Sequence, residues 1–374
     1  MVRIGKAKCS WFFVFTIGAA LMVGYAFSSP KFGRHPHGAD LARLEQSPQY
    51  GGGEFRNLIA TPQFAEGHSF FSVLLGNNAS RDGRSAPQCA VPAVKTDLKA
   101  LPPEEDVVVW LGHSSYFMLL GGKRILVDPV FSDYAAPFSL FNRAFAGTNV
   151  YAPEDMPDID YLLITHDHWD HLDYPTLRAL LPRIGEVVCG LGVGSHLRYW
   201  GFPATIIHEG DWYDELRLRD GLRVHVLPAR HFSGRLLARN KTLWVGFALI
   251  TPERKIFISG DTGYGPHFAE AGKRWGGFDL ALLEDGQYDP RWPYIHMAPE
   301  ESAQAAADLK AAAVMPGHNG KFAMAGHAWD DPYIRFVRAA GDTAFRVLFP
   351  RIGEPVFPGN PSQSFPHWWE KIAE

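Results

Sequence analysis

Six consecutive residues, His166-Asp167-His168-Trp169-Asp170-His171, bring three imidazoles and two carboxylates into one short stretch. They follow the strand-like run Tyr161–Thr165. On an extended exit from a strand, positions i and i+2 face the same way, so His166 and His168 can reach one ion together. A turn after them lets Asp170 and His171 address a second position close by. Imidazole and carboxylate are the ligands that suit zinc and similar divalent ions. With 16 His in 374 residues, three given positions are all His by chance in roughly one start in ten thousand, and requiring Asp at the fourth lowers this by about another order of magnitude. An isolated histidine is normally a satisfied core or surface residue; this cluster reads as a metal site.

Composition removes several other classes. The chain is 46% hydrophobic and 13% aromatic, enough to bury a large core, which excludes wholesale disorder. Its 36 Lys+Arg against 40 Asp+Glu give a net charge of -4, so there is no electrostatic reason to expect a nucleic-acid partner. Three cysteines are too few for a disulfide scaffold, a cysteine-rich zinc finger or an iron–sulfur cluster.

The elements that must position the cluster are short strands and a few helices. Val107–Leu111, Tyr116–Leu120 and Arg124–Asp128 are strand-like, and Gly121-Gly122 turns the second into the third. Tyr161–Thr165, Glu186–Cys189, Ala204–His208, Leu222–Leu227, Leu243–Ile250, Lys255–Ser259 and Leu280–Leu283 are further strands. Tyr174–Leu181, His267–Trp275, Glu300–Ala312 and Pro332–Ala340 have helical patterning. Hairpins followed by helix–strand units predict an α/β fold of two mixed sheets with helices outside.

Three regions are expected. Residues 1–29 place Arg3, Lys6 and Lys8 before the uncharged apolar run Trp11–Phe27, which reads as a signal anchor or a cleaved signal peptide, with a buried helix as the plain alternative. The anchor reading predicts a membrane-associated protein, and either targeting reading puts the body outside the cytoplasm, periplasmic or otherwise extracytoplasmic. Residues 30–105, rich in Gly, Pro and Asn, read as an extended N-terminal arm on the domain that follows. Residues 106–374 are the expected catalytic domain. In an exported body Cys89 and Cys189 could pair, although two buried thiols are the simpler expectation.

His-x-His-x-Asp-His after a short strand resembles the signature of the metallo-β-lactamase superfamily. The resemblance spans roughly 106–350 and implies a four-layer αβ/βα sandwich with a two-metal site between the sheets. It also implies further ligands, each at the end of a strand-like segment: His231 in Pro228–Ser233, Asp261 in Ser259–Tyr264 and His318 in Pro316–His318. Carried over by position, His166, His168 and His231 would hold one zinc, Asp170, His171 and His318 a second, and Asp261 would bridge them. A metal-bridging hydroxide is then the expected nucleophile, with Asp170, Asp261 and His296 as the residues placed in the reaction.

Within the superfamily, Trp110–Ser115, Val127–Phe131, Asp261–Tyr264 and His296–Glu301 look like the N-acylphosphatidylethanolamine-hydrolysing phospholipase D group and its bacterial relatives. That likeness implies a zinc-dependent phosphodiesterase acting on a phospholipid or a small phosphodiester. A lactone or carboxylic-ester hydrolase would use the same ligands, and a catalytically silent, membrane-tethered interaction protein would keep only the fold. The likeness places His113 and His296 near the site, while Asp128, Tyr264 and Tyr288 are weighed as outer supports or substrate contacts. Arg230, Arg235 and Arg239 are weighed as phosphate contacts, Phe131–Phe145 as an apolar lip, and Trp368-Trp369 as an interfacial pair or a tail packed on the core.

Overall fold

The computed structural model describes residues 27–373 apart from 70–71, 73–82, 219–221, 236–237 and 342. The strands are β1 (Val107–Trp110), β2 (Tyr116–Leu120), β3 (Lys123–Val127), β4 (Ile159–Ile164), β5 (Ile184–Gly190) and β6 (Ile207–Gly210), then β7 (Glu215–Arg217), β8 (Arg223–Pro228), β9 (Val245–Ile250), β10 (Lys255–Ile258), β11 (Leu280–Glu284), β12 (Ala313–Gly317), β13 (Arg346–Val347) and β14 (Pro355–Val356). They form two seven-stranded sheets, ordered β14-β1-β2-β3-β4-β5-β6 and β13-β12-β11-β10-β9-β8-β7. Each sheet is antiparallel in one half and parallel in the other, changing at β3–β4 in the first and at β10–β11 in the second.

The central strands are buried along nearly their whole length because both faces are covered, whereas the edge strands β6, β7 and β13 are largely half-buried or exposed. Alternate residues divide between two cores. Val108, Trp110, Tyr116, Met118, Val127, Tyr161 and Leu163 face the second sheet and join Val226, Phe247, Ile258 and Leu282. Val107, Val109, Phe117, Leu126, Leu162 and Ile164 face outward, against Leu177, Leu180, Val193 and Leu197 of the helices. The period of two thus gives one face to each layer, and the result is the expected αβ/βα sandwich. Gly121 and Gly122 join β2 to β3 with φ of 56° and 75°, the left-handed pair that a two-residue hairpin turn requires.

The helices are α1 (Ala39–Leu44), α2 (Tyr174–Leu180), α3 (Val193–Tyr199), α4 (His267–Trp275), α5 (Pro299–Asp308) and α6 (Asp331–Ala340). Several elements depart from the sequence reading, and the expected strand Ala204–His208 is one: Ala204–Ile206 form a 3-10 turn before β6. The expected helix Glu300–Ala312 stops early, because Lys310 turns left-handed at φ 54° and releases the chain into β12. Helix α3, flanked by Gly192 and containing Gly194, has weak local propensity. A tertiary partner supports it: Glu209 Oε1 accepts the Gly192 and Gly194 amides at 2.7 and 3.2 Å, placing a carboxylate at the helix N-terminus.

The membrane expectations need correction. Residues 1–26 of the expected anchor lie outside the described residues, and no helix among the described residues is long and apolar enough to cross a membrane. The structure therefore gives no basis for a signal anchor, a membrane-tethered partner role or an extracytoplasmic placement. Trp368 and Trp369 are 3% and 1% exposed, packed on Tyr333 and Phe349, so the pair is a tail on the core. In the expected lip, Ala135 packs on Phe322 whereas Leu140 and Phe141 are exposed. Cys189 is buried, Cys89 is exposed, and the two are not paired.

Candidate metal centre

The site forms where strand ends from both sheets meet. His166–His171 leave β4, His231 follows β8, Asp261 follows β10, His318 follows β12, and His113 follows β1. Their ligand atoms gather into two groups, His166/His168/His231/Asp261 and His113/Asp170/His171/His318, each with atoms within 4.8 Å of one another. In the first, His168 Nδ1 lies 2.9 Å from His166 Nε2 and 3.2 Å from His231 Nε2. Asp261 joins the two groups. Its Oδ2 lies 3.7 Å from both His166 Nε2 and His231 Nε2, and its Oδ1 lies 3.1 Å from His171 Nε2 and 3.2 Å from His318 Nδ1.

These separations suit shared ions. Ligand atoms about 2.1 Å from a tetrahedral ion lie about 3.4 Å from one another. His318 Nε2 is buried with no hydrogen-bond partner among the described residues, and the buried His171 Nε2 and Asp261 Oδ1 have ion-pair contacts within the site in place of well-formed hydrogen bonds. Leaving a polar atom dry and unpaired costs roughly 1–3 kcal/mol, a cost that a bound cation removes. The ligand set fits a dinuclear metal centre.

Outer partners fix the imidazoles. His171 Nδ1 donates to Asp128 Oδ2 at 2.8 Å, and His231 Nδ1 donates to the Ile295 carbonyl at 2.8 Å. His166 Nδ1 and His318 Nδ1 pair with the hydroxyls of Thr165 and Ser114 at 3.0 and 2.8 Å. Occupying Nδ1 of His166, His171 and His231 leaves Nε2 facing the centre. Asp128 also accepts from the Thr165 amide and hydroxyl at 2.8 and 2.5 Å, so it is a hub of the support. His113 is fully buried, with Nε2 donating to Asp170 Oδ2 at 2.9 Å, a placement that holds the carboxylate and keeps the ring from substrate. His113, Asp128 and His318 take left-handed φ of 55°, 40° and 60°, and strain of about 1 kcal/mol or more at each persists only where packing overrides it.

Burial holds His166, His231 and His318 well below the usual histidine range, helped by neighbouring imidazoles, and lowers His168 and His113 to about 4. These rings are neutral at neutral pH, the form that binds metal. Burial also raises Asp261 to about 7, since its carboxylate has lost water, a cost that His171 beside it offsets only in part. His171 goes the other way: burial opposes its charge, but Asp261 and Asp170 beside it outweigh that and raise it well above the usual value.

His296 joins this constellation, grouped with Asp261 and His318 and with its ring 4.9 Å from that of His231. Glu284, at the end of β11, is a residue the sequence reading missed. Its Oε1 accepts from His296 Nδ1 at 2.7 Å and from the Met297 amide at 3.1 Å, and its Oε2 takes the Thr262 amide. His296 keeps 12% of its side chain exposed, so Nε2 is the nitrogen left for a substrate. A carboxylate within an apolar strand was the available signal, but the fold alone reveals its partner.

Other candidates fall elsewhere. The hydroxyls of Tyr264 and Tyr288 donate to Asp308 and Asp331, so neither is available to a substrate at the metal groups. Arg235 is buried and spent on the carbonyls of Lys31, Asp167 and Leu172, which removes it as a phosphate contact. Arg230 is tied to the Thr61 hydroxyl and the Tyr264 carbonyl, and Arg239 lies over the Phe232 ring.

Residues 123–319 match the family model of the beta-lactamase superfamily domain, more than half of the chain. The chain belongs to the metallo-β-lactamase superfamily. An uncharacterized protein of Mycobacterium tuberculosis is 36% identical over 89% of this chain and 91% of its own length. The mitochondrial N-acyl-phosphatidylethanolamine-hydrolyzing phospholipase D of Saccharomyces cerevisiae is 33% identical over 66% of this chain and 54% of that protein. The metallo hydrolase Igni18 of Ignicoccus hospitalis shares the fold, with a TM-score of 0.52 and 20% identity over 67% of this chain and 97% of that one. With the paired His/Asp groups set in this superfamily fold, the chain is a metal-dependent hydrolase.

Proposed function

We propose that the chain is a dinuclear zinc phosphodiesterase of phospholipase D type, acting on N-acylphosphatidylethanolamine-like lipids or related phosphodiesters. The observation that carries this reading is Asp261, whose two oxygens face two separate imidazole groups. In this reading His166, His168 and His231 hold one zinc, Asp170, His171 and His318 hold the other, and Asp261 is shared. When bound, such a pair of ions acidifies a water enough to attack at neutral pH and offsets charge on the reacting phosphoryl group. The phosphodiester preference rests on the phospholipase D relatives. Beside the site, Phe64, Phe232, Trp292, Ile295 and Ala325 form an apolar cluster, which suits a substrate with an apolar part.

Within this mechanism the protein's own residues orient and protonate. Glu284 holds His296 by Nδ1, and burial lowers the ring's pKa, so the donating form is the minority imidazolium, protonated at both nitrogens. Its Nε2 proton passes to the departing oxygen as the phosphorus–oxygen bond breaks, leaving the neutral ring. The test is a side-by-side panel of phosphodiesters, lactones and carboxylic esters with the zinc-loaded protein. Phosphodiesters should be turned over fastest; a lactone or ester turned over tenfold faster than every phosphodiester overturns the reading. His296→Ala should slow diesters with alkyl leaving groups by about 10²–10³-fold while changing p-nitrophenyl diesters, whose leaving group needs no proton, by less than about tenfold. Equal loss on both classes would remove His296 as the proton donor.

A further inference from the structure

The three histidines of the first metal group come from two loops, and the segment before the matched domain touches both. Asn57 grips the His231 loop by its backbone: its Nδ2 donates to the His231 carbonyl at 2.8 Å, and its Oδ1 accepts from the His231 amide at 3.1 Å. The same oxygen accepts from Trp244 Nε1 at 3.1 Å, so the side-chain amide is itself fixed. Next to it, the Phe55 amide donates to the Asn240 carbonyl at 2.8 Å, and Phe55 is fully buried in the main core.

The loop His166–His171 is held from the other side. The Lys31 carbonyl accepts from Arg235 Nε and Nη2 at 3.1 and 2.8 Å. Arg235 Nη1 then donates to the Asp167 and Leu172 carbonyls at 2.7 and 3.0 Å, and its guanidinium lies 3.9 Å from the centre of the Trp169 ring. Phe32 meets the edge of that ring at 5.2 Å. The Arg34 amide donates to His196 Nδ1 at 3.1 Å, and His196 Nε2 lies 3.4 Å from Asp167 Oδ2, between the two histidines of the motif.

We infer that residues 30–57 are a clamp on the first metal group, presetting His166, His168 and His231 so that divalent-ion affinity at that group depends on Asn57. The inference rests on the reading that these three histidines hold an ion. Its physical basis is that partners of ligands and their loops orient the ligands, and their loss typically lowers metal affinity by about 10–100-fold. The second group, Asp170/His171/His318, is held by Asp128, His113 and Ser114, and the Asn57 side chain engages the His231 loop and Trp244 instead.

The experiment titrates zinc into the metal-free, full-length protein in competition with a chromogenic chelator, and repeats it with cobalt to read the two environments from their visible absorption. In Asn57→Ala one of the two ions should bind about 10–100-fold more weakly, with the other within about threefold of the unsubstituted protein. Asn57→Asp keeps the acceptor for the His231 amide and for Trp244 but sets a carboxylate oxygen against the His231 carbonyl in place of the donor, so it should weaken the same ion and spare the other. Unchanged binding of both ions, or equal weakening of both in the two variants, overturns the clamp. Failure of the unsubstituted protein to bind zinc overturns the underlying metal reading instead, so the two failures are distinguishable.

Discussion

Asp261→Asn is expected to reduce turnover of any substrate by at least about a thousandfold, roughly 4 kcal/mol of transition-state stabilisation. The side chain changes little in size, so the fold should survive and circular dichroism should be unaltered. What changes is charge and ligation. Asp261 presents one oxygen to each imidazole group, and an amide offers only one good acceptor and a pair of N–H donors in their place. A donor aimed at His171 Nε2 or His231 Nε2 also removes the carboxylate that offsets repulsion between two dications. The zinc content of the variant should fall from a pair to a single ion or none. Elemental analysis and kcat on the same sample check this, and retained turnover with a full metal complement would refute the shared-ligand assignment.

Removing metal should have the other large effect, on activity and stability together. Dialysis against a strong chelator is expected to abolish turnover, with zinc alone restoring it. A site that binds only in the folded state stabilises by about 4 kcal/mol when free metal stands at about a thousand times Kd, so two such sites make chelation lower Tm by on the order of ten degrees. The cause is visible in the buried groups. Without ions, Asp261 is desolvated with histidines beside it, His318 Nε2 is buried with no hydrogen-bond partner among the described residues, and burial holds His166, His231 and His318 neutral among neighbours that repel added charge. Calorimetry before and after chelation measures the difference; an unchanged Tm on chelation would mean that these groups do not hold ions in the folded protein.

Much of this was legible beforehand because it is local. The strands around His166–His171 show in runs such as Tyr161–Thr165, where the buried apolar pattern and the strand exit appear within a few residues. The Gly121-Gly122 turn is likewise a property of two residues, since only glycine takes both left-handed positions at no steric cost. Resemblance supplied His231, Asp261 and His318, which local patterning alone does not separate from other strand-end residues.

The sequence by itself determined the existence of a metal-binding cluster and two mixed sheets with helices outside, because residue type and short-range spacing encode those directly; the four-layer sandwich came with the family resemblance. Only the tertiary structure decided the partners. Glu284 meets His296 twelve residues later because β11 and the start of α5 converge, and Asn57 meets His231 across a separation of 174 residues. It likewise turned Tyr264, Tyr288 and Arg235 from substrate candidates into satisfied structural groups, and buried Trp368 and Trp369 in the core. The physical reason is that a buried polar group must find a partner with the right geometry. That partner is chosen by how distant elements pack, which no short window of sequence contains.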